Sequence, residues 1–289
     1  MVDLKLSGLY IYPIKSAAGI EVETAQLTTR GFKHDRRWMV VDSGGKFMSQ
    51  RKHPRMVLIE VSLEETLKIS ASDMPDLLVP LVPETGERVD VEVWGDRCEA
   101  IACGSETQQW FTQFMGTDCQ LVYMPDSSDR PTAHGKLGAD NLVSFADAYP
   151  YLLISEASLN FLNDKLVARG KTTVSIERFR PNMVVRGVEK PHEEDRWQQV
   201  QIGDAVFELP KLCDRCSIPT VHPKTGDRGK EPNETLATYR YWDRGIWFGQ
   251  NAVQQQGDYT GQVLSLGDSV QVLQTKDKGA TAIPSAASL

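Results

Sequence analysis

A chain of 289 residues is long enough for one large domain or two small ones, each with its own hydrophobic core. Its formal net charge of −7 argues against a nucleic-acid-binding protein, because phosphate recognition requires a basic excess or a basic stripe. The first residues lack the basic start and apolar run of a signal peptide, and no stretch approaches the ~18 apolar residues of a membrane span. We therefore expect a cytoplasmic protein that binds neither membranes nor nucleic acid.

The first part of the chain is predicted to consist mainly of strands. Alternation of Val89, Val91 and Val93 with charged residues indicates a strand with one buried face. Around it we predict strands over residues 4–11, 37–41 and 119–124, a turn at 42–45 followed by a return strand over 47–51, and a helix over 105–115. Ser105 is the expected cap of that helix, with Gln108 at the capping-box position.

The composition changes at residues 125–142, which are rich in Pro, Ser, Asp and Gly and are predicted to form a loop between domains. A second helix is predicted over 155–169, where leucines fall on one face and Gly170 follows. Gly-Asp pairs at 203–204 and 267–268 each indicate a hairpin turn. We predict one domain over 1–122, a second over 123–274, and a disordered tail over 275–289.

Many short strands, two helices and no alternation of strand and helix predict a mixed α/β fold that is mainly β, with barrel architecture. A dinucleotide-binding fold is excluded, because no G-x-G-x-x-G motif opens a helix after a strand.

The five cysteines are Cys98, Cys103, Cys119, Cys213 and Cys216. An odd number without a secretion signal argues against a disulfide framework, so attention falls on the C-x-x-C pair of Cys213 and Cys216. The pair is compatible with half of a zinc site, a redox dithiol, a single thiolate that binds a metal cofactor or acts as a nucleophile, or two buried apolar side chains. Arg215 beside Cys216 would favour a thiolate.

Further polar residues allow two interpretations each. Arg180 and Asn182 are two apart, so on a strand they would share a face able to bind an anion, although strand-end arginines are commonly solvated. The carboxylates of Glu193, Glu194 and Asp195 suit acid–base catalysis or a solvated loop. The segment 248–251 offers a glycine for close approach of a ligand or belongs to an aromatic core. The histidines form no metal-binding spacing.

Taken in order, these segments resemble the MOSC-domain proteins, named for the C-terminal domain of molybdenum cofactor sulfurase. The resemblance extends to bacterial reductases of N-hydroxylated compounds and to the mitochondrial amidoxime-reducing component. It covers residues 4–273 and rests on Tyr12–Ser16, Gly31–Trp38, Ser144–Pro150, Ser155–Leu159, Phe179–Asn182, Glu194–Trp197, Cys213–Cys216, Glu231–Leu236 and Phe248–Asn251.

The resemblance implies an N-terminal MOSC β-barrel domain followed by a MOSC domain that binds a molybdenum cofactor, Mo-molybdopterin. The implied reaction depends on molybdenum and not on pyridoxal phosphate. Cys216 matches the thiolate ligand of the metal and is the implied catalytic residue, whereas Cys213 is not a ligand. The implied cofactor-binding residues are Lys15, Ser16, Arg36, Asp147, Ala148, Tyr149, Arg180, Asn182, Asp214, Arg215 and Cys216. Asp214 departs from the family pattern, since relatives often carry a small neutral residue there.

The implied activity is the reduction of N-hydroxylated substrates, such as hydroxylamines and amidoximes, to amines. Some bacterial relatives add a domain with four cysteines for an iron–sulfur cluster, but no cysteine follows Cys216 here. We therefore expect the electrons to come from a separate protein, a ferredoxin-like protein or a flavoprotein reductase. The alternative is a module that binds or delivers the cofactor without turnover.

Overall fold

The fold is known from a computed structural model, which describes residues 3–83, 85–132, 142–255 and 261–276. It is mixed α/β and mainly β, so the predicted fold class is confirmed. The strands are β1 Lys5–Ile11, β2 Ile20–Glu21, β3 Thr24–Thr28, β4 Gly31–Phe32, β5 Trp38–Asp42, β6 Glu60–Leu63, β7 Thr66–Ser70, β8 Leu77–Pro80, β9 Arg88–Val93, β10 Asp96–Ala102, β11 Cys119–Tyr123, β12 Tyr151–Ser155, β13 Met183–Arg186, β14 Trp197–Ile202, β15 Ala205–Asp214, β16 Tyr241–Trp242, β17 Gly245–Gln254, β18 Val263–Ser265 and β19 Val270–Thr275. The α-helices are α1 Ser105–Met115, α2 Glu156–Ala168 and α3 Asn233–Arg240.

A nine-stranded sheet forms the larger part of the molecule. Its strand order is β19-β14-β15-β17-β12-β13-β1-β2, with β16 added beside β17. Strand β1 pairs with β13, far along the chain, and its Leu6 also exchanges backbone hydrogen bonds with Gly267 and Asp268. The first strands therefore belong to the core of this nine-stranded sheet, where Leu6, Leu9 and apolar residues of β12–β15 pack together. The domain boundary at residue 122 stays a prediction.

The smaller part of the molecule holds the four-stranded sheet β5-β11-β10-β9 and the three-stranded sheet β6-β7-β8. Its core packs Trp38 and Leu121 against α1 side chains such as Phe111. Helix α1 has the predicted bounds, but its capping was predicted wrongly. The residue before it, Gly104, occupies the cap with a φ of 95°, and Ser105 makes no capping hydrogen bond.

Two further local predictions were wrong. The return strand over 47–51 is a single bridge between Val41 and Phe47, after which the chain leaves the sheet. The Gly-Asp turn at 203–204 does join the paired strands β14 and β15, but the turn at 267–268 joins β18 and β19, which pair with β3 and β14 instead. Residues 133–141 of the predicted loop and 277–289 of the predicted tail lie outside the described residues.

The sheet direction explains where a site can form. Strands β12 and β13 are parallel, and β1 is antiparallel to β13. The residues that precede β12, those that precede β13 and those that follow β1 must therefore lie at one end of the sheet. These are the segments 147–150, 180–182 and 12–16.

Candidate functional site

A cavity of about 280 Å³ opens where these segments meet the end of β15. All eleven residues that the family resemblance implies line it, although they come from five separate parts of the sequence. Their individual roles stay predictions. The cavity is also lined by Arg51, Lys211 and Asn251, none of which was assigned to the site from the sequence.

Lys15 and Ser16 are presented by a tight turn after β1. The backbone N–H of Lys15 donates to the carbonyl of Trp38 at 2.8 Å, which ties the turn to the start of β5. Ser16 has a φ of 71°, an uncommon conformation for a residue with a Cβ atom. Its carbonyl accepts a hydrogen bond from Gln50 Nε2 at 2.7 Å, so contacts from two other segments hold the turn.

A buried hydrogen-bond network connects Arg36 to Asn182, the residue that precedes β13. Arg36 Nη1 donates to Asp35 Oδ2 at 2.6 Å and to Asn182 Oδ1 at 2.9 Å. The side-chain amide of Asn182 also donates to the carbonyl of Tyr10 at 3.1 Å. The Asn182 side chain is therefore largely engaged within the protein, and we infer that it orients Arg36 and the start of β13.

Arg180 and Asn182 line the cavity without lying on a strand, contrary to the prediction, since β13 begins at Met183. Arg180 caps a short 3-10 helix, Ile176–Phe179, in the left-handed conformation. Its Nη1 donates to the carbonyl of Ala17 at 2.6 Å, and its guanidinium lies 4.2 Å from the centre of the Tyr12 ring. Burial lowers the pKa of Arg180 to about 10, so it remains a cation at neutral pH.

Asp147 joins two cations at the rim of the cavity. Its Oδ1 accepts hydrogen bonds from Lys15 Nζ at 2.5 Å and from Trp94 Nε1 at 3.0 Å, and its Oδ2 pairs with Arg51 at 3.2 Å. Burial raises the pKa of Asp147, but Lys15 and Arg51 lower it by more, so the pKa of this carboxyl lies well below its usual range. Asp147 is therefore an anion at neutral pH.

The two cysteines of the C-x-x-C pair have different partners. Cys213 Sγ accepts a hydrogen bond from Arg215 Nη1 at 3.1 Å, and burial raises the pKa of the Cys213 thiol. Cys216 Sγ accepts from the backbone N–H of Ile218 at 3.4 Å and also contacts Arg51. Arg215 therefore hydrogen-bonds to Cys213, while Arg51 interacts with Cys216. The expectation that Arg215 favours a thiolate at Cys216 stays a prediction.

The cavity carries a large excess of positive charge in an acidic protein. Six lysines and arginines line it, against the two aspartates Asp147 and Asp214. Among the described residues, Arg180 and Arg215 form no ion pair with a carboxylate, and the Nε of Arg215 is buried without a hydrogen-bond partner. Buried cations require a compensating charge. The donor set therefore suits an anionic ligand, such as one that carries a phosphate, beside an accessible cysteine sulfur.

This charge should make anion binding depend on pH through Lys15. Burial lowers the pKa of Lys15 to about 8, although Asp147 raises it in part. Lys15 is charged below that pH and neutral above it, so the affinity of the unloaded protein for sulfate, whose own charge is constant, should fall as pH rises through about 8. The slope should approach tenfold per pH unit at most, as measured by calorimetric titration. Lys15→Arg should remove the slope, and a flat wild-type profile from pH 7 to 9.5 would contradict the role of Lys15.

The carboxylates of 193–195 do not reach the cavity. Glu194 is fully buried and accepts hydrogen bonds from Ser155, the N-cap of α2, and from Ser158 Oγ at 2.6 Å. Asp195 is also buried and pairs with Arg240 at 2.6 Å. Neither interpretation from the sequence applies to these two residues, because Glu194 is bonded to the start of α2 and Asp195 to α3 inside the protein.

Zinc binding finds no support in the described part of the chain, where no three His, Cys, Asp or Glu side chains are grouped so that they could hold a metal ion. Within the same residues, no helix is long and apolar enough to cross a membrane.

Comparison with known proteins gives two family matches. The MOSC N-terminal beta barrel domain matches residues 3–118, and the MOSC domain matches residues 140–271. Mitochondrial amidoxime-reducing component 1 of Mus musculus is 38% identical over 248 residues, 81% of this chain and 71% of that protein. Mitochondrial amidoxime reducing component 2 of Rattus norvegicus is 36% identical over 83% of this chain and 74% of its own length. Molybdenum cofactor sulfurase of Oryza sativa subsp. japonica is 32% identical over 86% of this chain but only 32% of that protein.

Proposed function

Since this chain belongs to the MOSC-domain family, with both the N-terminal beta barrel domain and the MOSC domain, we propose that it binds a molybdenum cofactor and reduces N-hydroxylated compounds to amines. The observation that carries the proposal is a cysteine sulfur, that of Cys216, in a cavity whose cations exceed its anions by a wide margin. The names of the amidoxime-reducing relatives supply the substrate class.

The residues present fit such a cofactor. Arg180 and Arg36, with Lys15, would hold the phosphate of the pterin by charge and hydrogen bonds. Cys216 would supply a soft thiolate, the ligand type that suits a metal already bound by sulfur. When bound, the cofactor would supply the two-electron chemistry that removes oxygen from nitrogen.

The overall reaction balances as one N-hydroxylated base, two electrons and two protons giving one amine and one water. For the electrons we propose a separate donor protein, a ferredoxin-like protein or a flavoprotein reductase. A cytoplasmic location stays a prediction. The amidoxime-reducing relatives are named mitochondrial, which differs from that prediction.

The test is to express the chain in a host that makes the cofactor and to measure molybdenum, pterin and turnover. We expect molybdenum and pterin to copurify, and an aromatic amidoxime to be converted to its amidine with a reduced viologen dye as electron donor. A reaction without protein controls for direct reduction by the dye. A protein loaded with molybdenum that never converts hydroxylamines, amidoximes or other N-hydroxylated bases would contradict the reductase.

The alternative is a module that binds or delivers the cofactor without turnover, which the similarity to molybdenum cofactor sulfurase favours. It predicts a loaded protein that passes its cofactor to a cofactor-free molybdenum enzyme, and no reoxidation by any N-hydroxylated base. The same loaded preparation distinguishes the two functions.

A further inference from the structure

The hairpin between β9 and β10 carries an unusual turn residue. Val93 and Asp96 pair directly, so Trp94 and Gly95 form a two-residue turn. Both have positive φ, 55° and 92°, as the type I′ turn requires. Asn-Gly is the favoured sequence for that turn, whereas a bulky aromatic residue in the left-handed region is a genuine outlier. A strained residue of this kind indicates that the position is kept for its side chain.

The Trp94 side chain contacts both charged groups at the rim of the cavity. Its indole N–H donates to Asp147 Oδ1 at 3.0 Å, while the Arg51 guanidinium lies 4.3 Å from the centre of its ring. Phe47 packs beside the ring with the centroids 4.9 Å apart. Trp94 as a whole is 51% exposed, so these contacts do not serve to bury it in a core. The Trp94 side chain therefore holds both Arg51 and its ion-pair partner Asp147 in place.

Arg51 connects this arrangement to the cysteine. Its guanidinium pairs with Asp147 Oδ2 at 3.2 Å, and Arg51 lines the same cavity as Cys216 and interacts with it electrostatically. Its main chain is held from the opposite side, because Arg228 Nη2 donates to the carbonyls of Gln50, at 2.8 Å, and of Arg51, at 2.6 Å. The segment that left the sheet after Phe47 is therefore fixed at both its backbone and its side chain.

We propose that Trp94 is a positioning residue that holds Arg51 and Asp147 at the rim, so that the Arg51 guanidinium stays at the sulfur of Cys216. The inference rests on the proposed function, in which that sulfur binds molybdenum. Hydrogen bonds to a thiolate ligand withdraw electron density from it and tune the metal. The smaller part of the molecule thus supplies part of the surroundings of the metal, although it provides no ligand.

The test uses the full chain loaded with cofactor, with the variants Arg51→Gln, Arg51→Lys, Trp94→Phe and Trp94→Asn. Arg55→Gln is the matched control, because Arg55 also lies over an aromatic ring, that of Phe114 at 4.4 Å, but does not line the cavity. Arg51→Gln should lower kcat by roughly 10–100-fold, as loss of a group that supports a ligand does. It should also change the electron paramagnetic resonance spectrum of the bound molybdenum. Arg51→Lys should restore part of both, and Arg55→Gln should match the wild type.

Trp94→Asn separates positioning from a structural role. It gives the turn its favoured Asn-Gly sequence, so Tm should equal or exceed that of the wild type, yet kcat and the spectrum should change in the direction of Arg51→Gln. Trp94→Phe keeps the stacking on Arg51 and loses the N–H, so it should fall between. Wild-type kcat and spectrum in Trp94→Asn, or a lowered Tm that accounts for the loss, would overturn the inference while the proposed function stands.

If the wild type takes up no cofactor, the proposed function fails, and unfolding of the unloaded protein still decides the positioning. A double-mutant cycle over Trp94→Asn and Arg51→Gln should then show that the two substitutions are not additive in their effect on the urea midpoint. Additive effects would overturn the inference independently of the cofactor.

Discussion

Cys216→Ser should remove the metal, with molybdenum per chain falling at least about tenfold relative to the wild type. A serine oxygen is a hard ligand, and it replaces the soft thiolate that suits a metal bound by pterin sulfurs. Part of the pterin should remain, because the cations around Arg180 still attract its phosphate. Metal analysis and pterin fluorescence on protein from a cofactor-competent host measure both quantities.

Cys213→Ser is the matched control for this prediction. Cys213 lies in the same C-x-x-C pair and lines the same cavity, but its sulfur is engaged by Arg215. The variant should retain molybdenum close to the wild-type content. Equal loss in both variants would contradict the assignment of Cys216 as the single ligand and would favour a dithiol or zinc pair.

Arg240→Met should lower the free energy of unfolding by about 3–5 kcal/mol, the range for breaking a buried ion pair. Arg240 and Asp195 have 4% and 1% side-chain exposure and are joined at 2.6 Å. Burial raises the pKa of Asp195 to about 6 even though Arg240 lowers it, so the carboxylate is poorly accommodated without its partner. Urea unfolding of the unloaded protein measures the loss.

An exposed pair gives the control for this effect. Arg88 and Glu99 form an ion pair on β9 and β10 with 59% and 41% side-chain exposure. Arg88→Met should therefore change the free energy of unfolding by less than about 1 kcal/mol. If Arg240→Met is no more destabilising than Arg88→Met, the ion pair does not stabilise the contact between Asp195 and α3.

The family resemblance predicted a set of eleven residues that the structure brings to one cavity, because a resemblance identifies positions without requiring their local structure. Their roles stay predictions. Lys15, Arg180 and Cys216 are more than 30 residues apart in sequence, and no periodicity joins them. The parallel pairing of β12 and β13, with β1 reversed beside them, brings together the segments of Lys15 and Arg180. The segment of Cys216 joins them through β17, which pairs with both β12 and β15. That pairing depends on contacts between distant residues, which local patterns do not encode.

Arg51 was missed because the pattern of Phe47–Arg51 predicted a strand. Alternating or apolar residues indicate which side chains are buried but not where a strand stops pairing. After Phe47 the chain leaves the sheet, and Gln50 and Arg51 find partners in other segments, in the turn at Ser16 and in Arg228. The signal in the sequence that was missed is the Trp94-Gly95 pair. Its position between two alternating runs fits a hairpin turn, but tryptophan is not a residue that such a turn favours.

The burial of Glu194 also could not be predicted from the sequence. A run of three charged residues usually faces solvent, and the sequence gives no sign that two serines 36 and 39 residues away will bond to this carboxylate. The third helix, α3, was also not predicted, since its eight residues are mostly polar and include only one fully buried leucine, Leu236. Short helices of this type are determined by packing on neighbouring strands.

The pairing of β1 with β13 sets an order of events during synthesis. Lys5 pairs with Arg186, so the first strand leaves the ribosome long before its partner exists. At about 5–20 residues per second this delay is on the order of 10–40 s. During that interval the apolar side chains of Leu6 and Leu9 have no sheet to join and are available to a chaperone or to aggregation. The cavity is lined by residues as far along the chain as Asn251, so it cannot form until that residue has also emerged.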